Sequence, residues 1–170
     1  DGDPVARASL FAALCRINTL YMIKNTGSGH IGTSFSCIDI VSWLFLNEMR
    51  NPGGVDGEGP QDIYFSSKGH DAPGLYSILI GLGLMNFDMI HRLRSLGGLP
   101  GHPDVSVPYM HVNSGSLGMG ISKAKGMITA NRMQGVEQNI YVLTGDGELQ
   151  EGQLWESLGS AVRSDMGELT

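Results

Sequence analysis

NIYVLTGDGELQEGQLWESLGSAVRSDM, residues 139–166, is the stretch on which the fold turns. Its first quarter, Asn139 to Gly145, is rich in β-branched and aromatic residues and reads as a strand. Leu149 to Met166 then reads as a helix. Between them stands Gly145-Asp146-Gly147, an aspartate flanked by two glycines where the strand ends. A tight turn with a helix-capping aspartate accounts for such a tripeptide. A phosphate and metal site accounts for it as well. Glycines let the backbone approach a bulky anion, free N–H groups at a helix start favour phosphate, and magnesium takes one or two carboxylates plus phosphate oxygens and water.

Working outward, a second strand, "DIYFSS" (residues 62–67), runs through "KGHDAPGLYSILIGLGL" into a helix. Asp3-Pro4 opens an N-terminal helix whose apolar positions are Val5, Ala8, Phe11, Leu14, Ile17 and Tyr21, ending near Lys24. An apolar helix is expected from Ser36 to Met49, a short one over "NFDMIHRLRSL" and another over "ISKAKGMITANRM". Residues 50–61 read as a surface loop. Residues 97–119 form a loop too long to lack a purpose. Strands alternating with helices predict an α/β, three-layer domain with a mainly parallel sheet and ligands at the carboxyl ends of the strands.

Composition narrows the function. The chain has 170 residues, 41% of them hydrophobic, and a net charge of −6, which argues against nucleic acid and anionic membrane as partners. A phosphorylated ligand stays compatible, because backbone amides and a metal can hold phosphate without a basic surface. Cys15 and Cys37 lack metal-type spacing and sit in apolar helical patterns, so they read as buried free thiols of a reducing, cytoplasmic compartment. No signal peptide or transmembrane run is read.

Three of the five histidines follow a glycine in loops: His30 in "GSGHIG", His70 in "SKGHDA" and His102 in "LPGHPD". Singly, each reads as a surface residue. Together they suggest a polar pocket, where imidazole donates to phosphate or carbonyl oxygen and moves protons near neutral pH. His91 reads as structural or solvated. "NSGSLGMG" (residues 113–120) suits phosphate cradling, packing against a flat ring, or simple helix entry.

Taken in order, "GSGHIGTSFSCIDIV", "SSKGHDAPGLYS", "LPGHPD", "SGSLGMGIS" and "GDGELQEGQLWE" resemble the N-terminal, diphosphate-binding region of transketolase, above all the bacterial form split into two subunits. The resemblance implies the thiamine-diphosphate-binding fold over residues 1–170. It also implies thiamine diphosphate with magnesium or calcium, and transfer of a two-carbon ketol unit from a ketose phosphate to an aldose. By matching positions it makes Asp146 the metal ligand and Gly147 a diphosphate donor beside Gly145. His70 would reach the diphosphate or reacting centre, and His30 and His102 the substrate. Gly115 and Leu117 would meet the aminopyrimidine end, and Glu151 and Glu156 the network between paired active sites. Five helical residues turn those two acids about 140° apart, so they need not share a face. Ile31, Asp71 and Met119 depart from the family's usual proline, alanine and glutamine; beside His70, Asp71 would act on the imidazole or point to solvent. The family's second metal ligand, an asparagine, and its pyrimidine-binding domain would lie beyond Thr170. The expected partner is therefore a C-terminal, pyrimidine-binding domain or subunit, in a homodimer or heterotetramer acting on sugar phosphates. The alternatives are a related thiamine-diphosphate ketol or aldehyde transferase of secondary metabolism, or a non-catalytic diphosphate-binding module.

Overall fold

The computed structural model describes residues 2–53 and 59–170; part of the expected 50–61 loop lies outside the described residues. The chain divides into two compact units. The first comprises residues 1–49 and 70–103, and the second residues 50–69 and 104–170.

The first unit is helical. Helix α1 (Pro4–Thr26) begins where the Asp3 side chain accepts the Val5 N–H at 3.0 Å, and it stops at Gly27, whose φ of 69° only glycine adopts without strain. Its buried stripe is Ala8, Ala12, Cys15, Thr19 and Met22, while Val5, Leu14, Ile17 and Tyr21 are exposed. The expected apolar face is thus mostly the outer one. Close packing explains the inversion. Helix α3 (Ala72–Gly81) packs on the buried stripe, where Cys15 and Thr19 hydrogen-bond to Ser77, and its Gly81 leaves room for the Phe11 ring, which a Cβ there would meet at 2.9 Å. Helix α3 is buried at every position from Ala72 to Ile80, as expected of an apolar helix inside a core. Thr19 and Ser77 satisfy each other there, Thr19 Oγ1 donating to Ser77 Oγ at 2.9 Å and Ser77 Oγ to Gly74 O at 2.7 Å.

Helix α2 (Ile31–Trp43) starts five residues before the expected Ser36 and continues as a π turn, Leu44–Glu48. Ser34 decides the early start. It is fully buried, and its N–H and hydroxyl both donate to His30 O, at 3.2 and 2.9 Å. The apolar content of α2 is partly absorbed internally by Cys37, Ile38 and Val41, leaving Ile40 and Trp43 outside. The expected helix over residues 86–96 is reduced to a 3-10 turn, Phe87–His91, with Tyr21 hydroxyl and His91 Nδ1 2.8 Å apart. Both cysteines are free and buried, and burial pushes the Cys15 thiol up to about 11.

The second unit carries the sheet. Strands β1 (Ile63–Ser66) and β2 (Ile140–Leu143) pair in parallel, Ile63 opposite Ile140 and Ser66 opposite Leu143. Parallel pairing requires a crossover, and α4 (Gly120–Gln134) precedes β2. On the other side of β2, Val142 N–H donates to Thr170 O and Ile140 N–H to Glu168 O, both at 2.8 Å, so residues 168–170 extend the parallel pattern. Ile63, Phe65, Val112, Ala124, Ile128 and Ile140 form the core. At the amino ends of the strands, buried Asp62 accepts from Arg50 N–H at 2.9 Å, Arg50 Nη2 at 2.8 Å and Asn139 N–H at 2.9 Å. Among the described residues no helix is long and apolar enough to cross a membrane.

Candidate functional site

At the carboxyl ends of β1 and β2 the second unit builds a glycine cradle. Ser67 N–H donates to Leu143 O at 2.8 Å, so the two strands finish level. Residues 114–120 close against them. Gly69 has φ +70°, and a Cβ there would lie 2.6 Å from Gly115 N. Gly118 has φ +79°, and a Cβ there would lie 2.9 Å from Glu151 Cβ. Side chains are excluded at both positions, which leaves backbone as the lining.

Asp146 sits on this rim, exposed, with helical φ −61° and ψ −43°. Its side chain caps nothing. The turn explanation for the aspartate therefore loses its main support: the bend forms without the carboxylate. Gly147 opens a single 3-10 turn, Gly147–Gln150, and among the described residues its N–H has no protein acceptor. The long helix expected from Leu149 does not run through. Glu151, with ψ 122°, is extended and stands as the N-cap of α5 (Gly152–Arg163). Glu151 and Glu156 are therefore not two residues within one helix, and the angular relation expected between them does not apply.

The cradle thus brings together Gly115, Leu117, Gly145, Asp146, Gly147 and Glu151. Glu156 stands apart, exposed in the body of α5. Among the described residues no three His, Cys, Asp or Glu side chains converge as a metal cage. The donor set fits magnesium only with oxygens from a bound diphosphate and water beside Asp146, which is how that ion is commonly held.

Sequence reasoning passed over Glu148. It is 1% exposed, and its carboxylate accepts the Gly118 N–H at 2.7 Å and the Gly145 N–H at 3.1 Å. An acidic residue one place after Gly-Asp-Gly looks solvated by pattern. Only the return of the 114–120 loop buries it.

The first unit gathers the three histidines. His30 is the N-cap residue of α2, and its ring meets that of His70 edge-on, centroids 5.2 Å apart at 68°. His102 lies in the 97–119 loop, where the Tyr76 hydroxyl is shared between Pro100 O at 3.1 Å and His102 O at 3.4 Å. Partial burial lowers the His102 pKa, helped by Arg94, His70 and His30 and opposed by Asp71, so its ring favours the neutral form. The Arg94 guanidinium covers Gly101, where a Cβ would lie 2.7 Å from Arg94 Nε. Asp71, of the departures from pattern, is 2% exposed and accepts the Cys37 thiol at 3.4 Å. It does not point to solvent.

The family profile described as transketolase, thiamine diphosphate binding domain, matches residues 8–170. An apulose-4-phosphate transketolase subunit from Phocaeicola vulgatus is 37% identical over 137 residues, 80% of this chain and 49% of that protein. The 6-deoxy-6-sulfo-D-fructose transketolase subunit SqwG of Clostridium sp. is 35% identical over 148 residues, 86% of this chain and 54% of that protein. Transketolase from Leishmania mexicana superposes with a TM-score of 0.83 at 25% identity, over 99% of this chain and 26% of that one. The chain spans about half the length of the first two relatives.

Proposed function

Because this chain belongs to the transketolase thiamine-diphosphate-binding domain family, as the match over residues 8–170 shows, we propose that it holds the diphosphate end of the cofactor in a two-subunit transketolase. The reaction is transfer of a two-carbon ketol unit from a ketose to an aldose. The observation that carries this reading is the exposed, uncapped Asp146 on a rim whose glycines admit no side chain.

Asp146 would hold magnesium or calcium, and Gly147 would offer its N–H to the diphosphate. Gly115 and Leu117 would offer backbone and an apolar side chain to the aminopyrimidine. When bound, thiamine diphosphate supplies the electron sink for cleaving a carbon–carbon bond beside a carbonyl. The histidines move protons. His102, favouring its neutral form, would accept a hydroxyl proton from the sugar, and His30 and His70 would donate hydrogen bonds to its oxygens. Glu151 and Glu156 belong to the contact between paired active sites. The named substrates of the two relatives, a ketose phosphate and a sulfonated ketose, support a donor with a terminal anion. That both relatives are named as subunits supports a pyrimidine-binding partner.

The test is calorimetric titration of thiamine diphosphate with magnesium or with chelator, followed by a ketol-transfer assay with and without a pyrimidine-binding partner chain. Metal-dependent binding and partner-dependent turnover are expected. Absence of metal-dependent binding, or turnover by residues 1–170 alone, would refute the assignment.

A further inference from the structure

Nothing in the proposed reaction uses Glu148, yet it is among the most deeply buried charged residues of the chain. A carboxylate is almost never hidden without partners, because leaving water is costly. Here the partners come from three separate segments. From the 114–120 loop, Gly118 N–H donates to Oε1 at 2.7 Å. From the end of β1, the Ser67 hydroxyl donates to the same oxygen, and Ser67 Oγ in turn accepts the Gly120 N–H at 3.0 Å. From the turn after β2, Gly145 N–H donates to Oε2 at 3.1 Å. One side chain therefore joins every segment that lines the glycine cradle.

We infer that Glu148 is a positioning residue for diphosphate and metal. Its two oxygens set the spacing between the 114–120 loop and the turn that presents Asp146 and Gly147. The inference rests on the functional reading above and extends it to a residue that touches neither ligand. Glycines explain why a carboxylate is needed for this task. Gly115, Gly118, Gly145 and Gly147 have no side chains with which to interlock, and the close approaches at Gly69 and Gly118 would admit none. Something must fix the separation of these segments, and Glu148 does so from beneath.

The chemistry makes the role specific to a carboxylate. Both oxygens face backbone N–H donors. Glutamine has nearly the same shape but only one acceptor oxygen; its other terminal atom is an NH2 donor. In one orientation that NH2 faces Gly145 N–H, and in the other it faces Gly118 N–H. Either way one segment is released while the bulk of the side chain still fills its place. Aspartate keeps both oxygens but is one carbon shorter, so it cannot reach Ser67 and Gly145 together without drawing the loops in.

The experiment uses the complete enzyme with its partner and compares wild type, Glu148→Gln and Ser67→Ala. Without ligand, hydrogen exchange is followed on peptides covering residues 114–120, residues 143–151 and α1 to α3. With ligand, the dissociation constant of thiamine diphosphate is measured across a magnesium series, and kcat is measured at saturation of both. In Glu148→Gln, faster exchange confined to the first two regions is expected. Cofactor affinity should weaken by about 10–100-fold, the usual effect of losing a residue that orients a ligating group. Added magnesium should offset that loss, with kcat at saturation close to wild type. Ser67→Ala should shift the same quantities in the same direction by less, and it serves as the test should Glu148→Gln fail to fold. Unchanged exchange and affinity in a folded variant would overturn the inference. So would exchange rising equally throughout, which marks an ordinary core residue. Wild type that binds no thiamine diphosphate would instead sink the functional reading, and this role with it.

Discussion

Replacing Asp146 by alanine separates the ligand role from the turn role, because the two predict opposite balances of stability and binding. The aspartate is exposed and its side chain makes no cap, so removing it costs the fold little: within about 0.5 kcal/mol, the range for surface positions without special contacts. Asp3 is the internal control. Its side chain does cap α1, accepting Val5 N–H at 3.0 Å, so Asp3→Ala should cost about 1 kcal/mol. Binding should rank the other way. Asp146→Ala removes the only carboxylate assigned to the metal, and magnesium-dependent affinity for thiamine diphosphate should fall by at least two orders of magnitude, about 2.7 kcal/mol or more. Asp3→Ala should leave it unchanged. Urea unfolding gives the first ranking and calorimetric titration the second. If Asp146→Ala is the more destabilised variant, or binds cofactor and magnesium like wild type, the carboxylate serves the turn and the metal assignment falls.

Three further outcomes follow from the geometry. His102 should titrate below its ordinary value by NMR, since burial and the Arg94, His70 and His30 charges disfavour its cation; Arg94→Gln should move the midpoint upward, and no movement would remove Arg94 as a cause. For stability, the unfolded chain binds that proton more readily, so the fold loses stability as pH falls through the His102 range and not as it rises. Asp62 is held below the usual carboxylate value. Burial alone would raise it, but the Arg50 side chain and the Arg50 and Asn139 N–H groups outweigh burial. Its contribution is present above the unfolded value and lost as pH drops through the folded one, and Asp62→Asn should destabilise by about 1–2 kcal/mol in urea unfolding, because the Arg50 left behind is partly exposed; no loss would count against the pairing. Finally, Leu10, Leu14 and Ile17 leave an exposed apolar stripe on α1, and the isolated chain is expected to self-associate at micromolar concentration; a monodisperse monomer in sedimentation would refute this.

Much of the site was legible in local sequence. The Asp3-Pro4 start of α1, the two strands, the Gly-Asp-Gly turn and the glycine-flanked histidines all depend on interactions within a few residues. A residue's own conformational preference is enough to announce them. The resemblance to transketolase likewise rests on ordered short motifs, which survive reading one at a time.

Other features depend on what arrives from far along the chain. No local signal says that Ser34 will be buried and start α2 at Ile31, or that α1 will turn Ala8, Ala12, Cys15 and Thr19 inward, where Ser77 of α3 meets Cys15 and Thr19. Nor does one say that Glu151 will break the helix. The pairing of the His30 and His70 rings, which stand far apart in sequence, is of the same kind. Glu148 is the clearest case. By sequence it is one more acid in an acidic turn, and its solvation would be the default. Folding brings Ser67 and Gly118 over it, removes its water and supplies N–H and hydroxyl donors in exchange. Residue type and spacing determined which groups this chain can offer to a phosphate and a metal. Tertiary packing alone decided which are presented and which are buried to hold the others in place, because burial depends on neighbours that the local sequence does not contain.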